Sequence, residues 1–276
     1  MNISAHTEFF KQEMRRRNYS ENSIKNYVSS VTSFFAQSKS DHPKNIHEQE
    51  IREYLNKFTE PNTQRSIHGS IKLFYEICLN QKDKFRFIPY CKKSRKLPIV
   101  LSQEEVQRIF NACDNLKHRS IMALLYGCGL RVSEVLNLKP QHIDSSRMII
   151  NIIQAKGKKD RQVMLPESLL NLLRKYFKEY HPKEYLFNGQ NSNQYSSRSI
   201  NEFLKTCADK AGVKNKRIYA HLYRHTSFTH LVETGTDINL IQKLAGHSNV
   251  KTTLIYTHIS HNLISKINSP LAQISL

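Results

Sequence analysis

The sequence predicts a mainly α-helical protein of two domains, the second carrying a small antiparallel sheet. Three observations lead there. The chain has 276 residues, more than one ordinary domain holds. Leu, Ile, Val and Phe recur three and four residues apart through most of its length, the period of a helix with one buried face. A single region, residues 148–165, breaks that period with a β-favouring composition.

Taken in order, residues 1–90 read as several helices with polar joints. Ser20 is placed to cap a helix whose Ile24, Tyr27, Val28, Val31, Phe34 and Phe35 form one apolar face. His47 to Phe58 is a second amphipathic stretch. Asn62 or Thr63 is expected to cap a third, presenting Ile67, Ile71, Phe74, Tyr75 and Cys78. From Phe87 to Ile99, FIPYCKKSRKLPI holds two prolines and four basic residues, which suits an extended connector, so the domain boundary is expected within residues 91–99.

The second domain, residues 100–276, opens with LSQEEVQRIF, where Ser102 and Glu105 have the spacing of a capping box. Ile121 to Tyr126 and Val132 to Leu138 continue as helices around the Gly127-Cys128-Gly129 break. Met148 to Ile153 and Arg161 to Leu165 read as strands of a hairpin or meander, with Lys156-Gly157-Lys158-Lys159 as a basic tip. Pro166 opens a helix through Leu169, Leu170, Leu173 and Tyr176. Beyond Tyr219 the pattern is helical almost to the end, with Gly235 and Gly246 as C-terminal breaks.

Charge narrows the function. Lys and Arg number 42 against 23 Asp and Glu, a formal +19. The residues before Val100 carry 18 basic and 10 acidic side chains and the rest 24 and 13, so both halves are basic. A polyanion gripped by the whole molecule, such as long duplex nucleic acid, fits better than a ligand of one basic tail. The five cysteines are odd in number and scattered without a C-x-x-C pair, which excludes a disulfide framework and a cysteine zinc site. With no signal peptide and no apolar span in the sequence, a cytoplasmic location is expected.

Covalent cleavage of a phosphodiester needs a nucleophile, cations for the non-bridging oxygens and an acid for the departing sugar oxygen. Arg131, in GLRVSEVL, begins a helix after a glycine-delimited turn, a place where a guanidinium reaches a phosphate. Lys156 sits at the expected hairpin tip. His221 and Arg224, in AHLYRHTSFTHL, share a helical face and pair a proton-transfer group with a phosphate clamp. His221 and His225 are spaced like zinc ligands, but Leu222 stands where the H-E-x-x-H pattern has glutamate, so no metal is expected. His225 and His230 read as packing or capping residues. LAGHSNVKTTLIYTH supplies His247 and, nine residues on, Tyr256, across the Gly246 break and a helix begun near Ser248 or Asn249.

GLRVSE, AKGKKDR, H-x-x-R-H, L-x-G-H-S and IYTH, in this order and spacing, resemble the tyrosine recombinase or phage-integrase family, in particular a compact Xer-like or mobile-element integrase. The resemblance is close from about Leu101 to His258 and looser over the N-terminal half, which corresponds to the family's core-binding, SAM-like domain. It implies that Arg131 and Arg224 brace the scissile phosphate and that Lys156 protonates the leaving 5′ oxygen. His221 and His247 would assist proton movement and hold phosphate oxygens, and Tyr256 would form a 3′-phosphotyrosine. Glu134 would orient its neighbours. Two positions depart from the family pattern: Tyr223 replaces a leucine, and Ala245 a larger aliphatic.

The resemblance further implies a C-shaped clamp on double-stranded DNA at specific sites. The chemistry would need no cofactor and no small-molecule substrate, and would run in a homo- or hetero-tetramer. The tail after Tyr256, with Ile259, Leu263, Ile264 and Ile267, would dock on a neighbouring subunit or pack on its own domain. Two rival readings are a type IB topoisomerase-like enzyme and a catalytically silent DNA-binding architectural protein.

Overall fold

The computed structural model describes residues 3–38, 40, 42–93, 99–153, 160–190, 192–247 and 249–257. It divides into two compact units, Met1–Lys96 and Leu97–Leu276. Both are helical, and one small antiparallel sheet lies in the second.

The first unit packs α1 (Ile3–Arg16), α2 (Glu21–Gln37), α3 (Glu48–Asn56) and α4 (Pro61–Leu79). Ser20 caps α2 as expected, its hydroxyl accepting from the Ser23 amide at 3.2 Å. The α4 cap differs from the sequence reading: Pro61 occupies the first turn and Glu60 the cap, because a proline lacks the amide that a first-turn position leaves unbonded anyway. Helix α1, which was not singled out in the sequence, buries Phe10 and Met14 among charged neighbours. These join Ile24, Phe34, Phe35, Ile71 and Phe74 in one core. Each such side chain contributes about 1.5–3 kcal/mol through burial. The residues after α4 turn back onto it: His68 Nε2 meets the Ile88 carbonyl at 3.0 Å, and the Arg65 guanidinium lies over the Tyr90 ring. Residues 88–93 form neither helix nor strand, and 94–98 lie outside the described residues.

In the second unit α5 (Gln103–Asn111) starts with the expected capping box, both hydrogen bonds being made between Ser102 and Glu105. Helix α6 (Leu116–Gly127) buries Ile121, Met122, Leu124 and Leu125, the signature of a central helix covered on several sides. It ends at Gly127 with Cys128 as its cap, and Gly129, with a φ of +58°, lets the chain reverse; the Leu130 amide then reaches back to the Leu124 carbonyl. Helix α7 (Val132–Leu136) is two residues shorter than the sequence suggested, its last turn closing as the chain enters a proline-led 3₁₀ turn at Pro140.

The sheet is a meander of β1 (Ile143–Asp144), β2 (Ile149–Ile152) and β3 (Arg161–Met164), with Ile150 opposite Val163 and Ile152 opposite Arg161. Inward Ile150, Ile152 and Val163 join the core. The two-residue β1 is too short to leave a period in the sequence. Helices α8 (Glu167–Tyr180), α9 (Ser197–Lys210), α10 (Ala220–Glu233), α11 (Ile238–Ala245) and α12 (Val250–Thr253) complete the unit. Gly235 and Gly246 both take positive φ after helix ends, as expected. No helix among the described residues is long and apolar enough to cross a membrane.

Candidate active site

Five of the six sequence-derived site residues fall in one region of the second unit; the sixth, Lys156, lies outside the described residues. Arg131 is the N-cap of α7, Arg224 and His221 stand on α10, and His247 follows the Gly246 that ends α11. Tyr256 was expected on a helix. Instead α12 ends at Thr253, and Tyr256 sits in the turn beyond it, its amide bonded to the Thr253 carbonyl. Asn249 caps that short helix through the Lys251 amide, which leaves too few residues for a longer one before the chain must turn inward.

The two arginines converge on one acceptor. Arg131 Nη2 donates to the Ala245 carbonyl at 3.0 Å, and Arg224 Nη2 donates to the same oxygen at 2.5 Å. Arg224 Nη1 is held by the Gly129 carbonyl, which the left-handed turn after α6 points into the site. Arg224 is fully buried, yet among the described residues no carboxylate forms an ion pair with it and its Nε has no hydrogen-bond partner. Burial and the nearby Arg131 charge both push its pKa down, because a second cation is being held in a dry place. Such a charge calls for an anion.

Among the described residues Glu134 supplies the one carboxylate of the group. It accepts from the Arg131 amide at 2.8 Å and from Arg131 Nη1 at 2.8 Å. Arg161, the first residue of β3, adds a two-pronged ion pair, its Nη1 and Nη2 at 2.7 and 2.8 Å from the two carboxylate oxygens. Burial alone would raise the Glu134 pKa, but Arg161 first and Arg131 second hold it down at about 2.

Three imidazoles line the same place. His247 Nδ1 meets Thr253 Oγ1 at 3.0 Å and its Nε2 faces Arg224 Nη2 at 3.5 Å. A guanidinium only donates, so the arrangement fits the tautomer with a proton on Nδ1 and a lone pair on Nε2. Burial, then the Arg224 and Arg131 charges, depress the His247 pKa to about 4. His221 is exposed at the rim, and its pKa is lowered by partial desolvation and by the same two arginines. His225 is more than the packing residue the sequence suggested. Its ring lies 4.4 Å from His221 and 5.7 Å from Tyr256, and its Nδ1 has no partner among the described residues. Desolvation and His221 bring its pKa to about 4. In all three rings the neutral form is thus favoured over the charged one. His230 does pack as expected, between the Leu101 carbonyl and the Tyr126 hydroxyl. Among the described residues no cluster of His, Cys, Asp and Glu is arranged to hold a metal.

Tyr256 is 1% exposed and wedged between Phe228, His225 and His247. Burial raises its pKa, and the Arg224 and Arg131 charges pull against that rise. The phenol and both guanidiniums thus belong to one electrostatic site contributed by one chain. Arg161, His225 and Thr253 were not assigned to it from sequence. Arg161 at least lies inside the AKGKKDR motif, five residues after Lys156.

Comparison with known proteins identifies the family and the fold. The profile of the phage integrase family matches residues 100–262, and that of the phage integrase N-terminal SAM-like domain matches residues 7–83. The protein y4qK of Sinorhizobium fredii, named as an integrase/recombinase, is 35% identical over 94% of this chain and 86% of its own. The tyrosine recombinase XerA of Thermococcus kodakarensis is 40% identical over 61% of each chain. Among solved structures, the XerH site-specific recombinase bound to a palindromic difH substrate superposes with a TM-score of 0.74 at 21% identity. That match covers 91% of this chain and 80% of XerH and establishes a shared fold.

Proposed function

The chain belongs to the phage integrase family, the tyrosine recombinases, and on that premise we propose how its own residues cut and rejoin DNA. Its partner is double-stranded DNA carrying specific recombination sites, bound through phosphate contacts by two basic units and brought together in a tetramer in the cytoplasm. The observation that carries this reading is the convergence of Arg131 and Arg224 on the Ala245 carbonyl beside a buried Tyr256, with the Arg224 Nε unpartnered.

A scissile phosphate entering this site meets two guanidiniums already fixed by backbone carbonyls, so its non-bridging oxygens are neutralised without reorganisation. The Tyr256 oxygen attacks phosphorus, the bond to the 5′ oxygen breaks, and a 3′-phosphotyrosine forms. The phenolic proton passes to a neutral imidazole of the site, and Lys156 gives a proton to the leaving 5′ oxygen. His221 and His247 hold the phosphate oxygens and relay protons. A 5′-hydroxyl from a second strand reverses the step, so resealing needs neither nucleotide hydrolysis nor a metal ion.

A nicked duplex that loses its short 5′ fragment on cleavage traps the covalent complex. With such a substrate the protein is expected to become DNA-linked in excess chelator and to exchange strands only between paired specific sites. Relaxation of any supercoiled DNA without such exchange would mark a type IB topoisomerase. Binding with no covalent product would mark an architectural protein.

A further inference from the structure

We propose that Arg161 is a positioning residue for strand cleavage: it locks Glu134, and through it Arg131, to the start of β3, five residues after Lys156 in the sequence. The proposal rests on the recombinase reading above and assigns it a further residue.

The geometry separates Arg161 from the two phosphate-bracing arginines. Its Nη1 and Nη2 are spent on the two oxygens of Glu134, and its Nε donates to the Leu244 carbonyl at 2.9 Å. Every nitrogen therefore faces protein, and the side chain is 9% exposed. Arg131 and Arg224, by contrast, share one carbonyl, and Arg224 keeps Nε without a partner. An arginine with its whole fork committed cannot also clamp a substrate phosphate; it can fix the groups that do.

Three parts of the site meet on this one side chain. Glu134 carries its hold to the Arg131 guanidinium and amide. The Leu244 carbonyl precedes Ala245, the acceptor shared by both bracing arginines, and Gly246, which aims the chain at His247. A Cβ at Gly246 would stand 3.1 Å from Arg161 Cδ, so the Arg161 stem packs against the turn itself. Arg161 is also the first paired residue of β3, opposite Ile152, directly after the segment of residues 153–160 that contains Lys156. A fork tied at this rung fixes the strand that delivers the acid relative to the arginine that receives the phosphate. Glu134 alone, held by Arg131 alone, has no tie to that strand. Burial of Glu134 also makes a second cation necessary, since one guanidinium that must serve substrate cannot by itself hold a dry carboxylate in place.

The test uses the full-length protein and the nicked duplex described above, reading the first-order cleavage rate at saturating protein separately from the affinity for the same DNA. Arg161→Gln is expected to lower the saturated rate about 10- to 100-fold, the cost of misplacing reacting groups by a fraction of an ångström to an ångström. DNA affinity should stay within about threefold, because Arg161 makes no substrate contact. Arg161→Lys keeps the charge without the fork and should recover part of the rate. In a Glu134→Gln background the Arg161→Gln change should cost less than about threefold, because both substitutions break the same link. The proposal is overturned by an Arg161→Gln rate within about twofold of wild type, by affinity falling in step with rate, or by losses that multiply in the double variant. Should Arg161→Gln not fold, Arg161→Lys decides, and a wild-type rate for it overturns the proposal. A wild-type protein that forms no covalent complex would instead sink the recombinase assignment, so the two failures are distinct.

Discussion

The rings of His247 and Tyr256 lie 6.3 Å apart and nearly parallel, 16° between planes, with Thr253 Oγ1 hydrogen-bonded to the imidazole Nδ1. A short turn after α12 thereby holds the phenol over the same patch that Arg131 and Arg224 electrify. The Tyr256 oxygen adds chemistry to that packing but little cohesion. Tyr256→Phe should abolish the covalent DNA complex on a nicked duplex. It should leave DNA affinity within about threefold and fold stability within about 1 kcal/mol, the net worth of an ordinary hydroxyl. Residual covalent product at a wild-type rate would move the nucleophile elsewhere.

A buried guanidinium with an unpartnered Nε predicts an anion effect on the free protein. Sulfate or inorganic phosphate should raise the melting temperature above that in chloride of equal ionic strength. At a hundredfold excess over its dissociation constant an anion adds about 2.7 kcal/mol. Arg224→Met should remove the difference between sulfate and chloride. If the variant keeps it, the anion binds elsewhere.

The helices with one apolar face were legible in the sequence because their period is local: Ser20 and the Ser102–Glu105 pair cap where the residues say they should. So were Arg131, Arg224, His247 and Tyr256 as a group, through motifs whose order is distinctive. Arg161 was not, because its meaning lies in contacts with Glu134 and with Leu244, 83 residues away, and a strand arginine has no local mark of burial. His225 read as packing for a similar reason, since only the fold shows that α10 turns it toward Tyr256. That α12 stops before Tyr256 was not legible, because four helical residues leave almost no period. The tail, with Ile259, Leu263, Ile264 and Ile267, lies outside the described residues, as does Lys156.

Gly129 gives a sharper test of how the fold builds the site. Its φ is +58°, a Cβ there would stand 2.6 Å from the Phe228 ring, and its carbonyl holds Arg224. Gly129→Ala adds about 1–2 kcal/mol for the left-handed backbone and a further cost of about 1–3 kcal/mol for overpacking against a core ring. Phe228 also packs on Tyr256, so the displacement reaches the proposed nucleophile. The variant should melt several degrees lower, and its cleavage rate should fall even at temperatures where it is fully folded. Unchanged cleavage in a folded Gly129→Ala protein would separate this turn from the chemistry.

The buried imidazoles and Glu134 predict two separate steps of acid destabilisation. His225 and His247 have pKa values near 4 in the folded chain against 6.5 for the free group, lowered by burial and by their charged neighbours. The unfolded chain therefore binds their protons first, so the stability they allow is complete above pH 6.5 and is lost as pH falls toward 4. Glu134 is depressed from 4.5 to about 2, against its own burial, by Arg161 and Arg131, so its contribution survives the first step and disappears only below pH 4.5. Thermal melts from pH 8 to pH 3 should show stability falling first between 6.5 and 4.5. His225→Asn should reduce that upper step and leave the lower one, and Glu134→Gln should do the reverse. DNA or sulfate should shrink the upper step, because an anion beside Arg224 raises both imidazole pKa values toward normal. A stability that stays flat down to pH 4.5 would mean that these rings are not held neutral in the folded protein, and with that the proton-accepting role given to them would go.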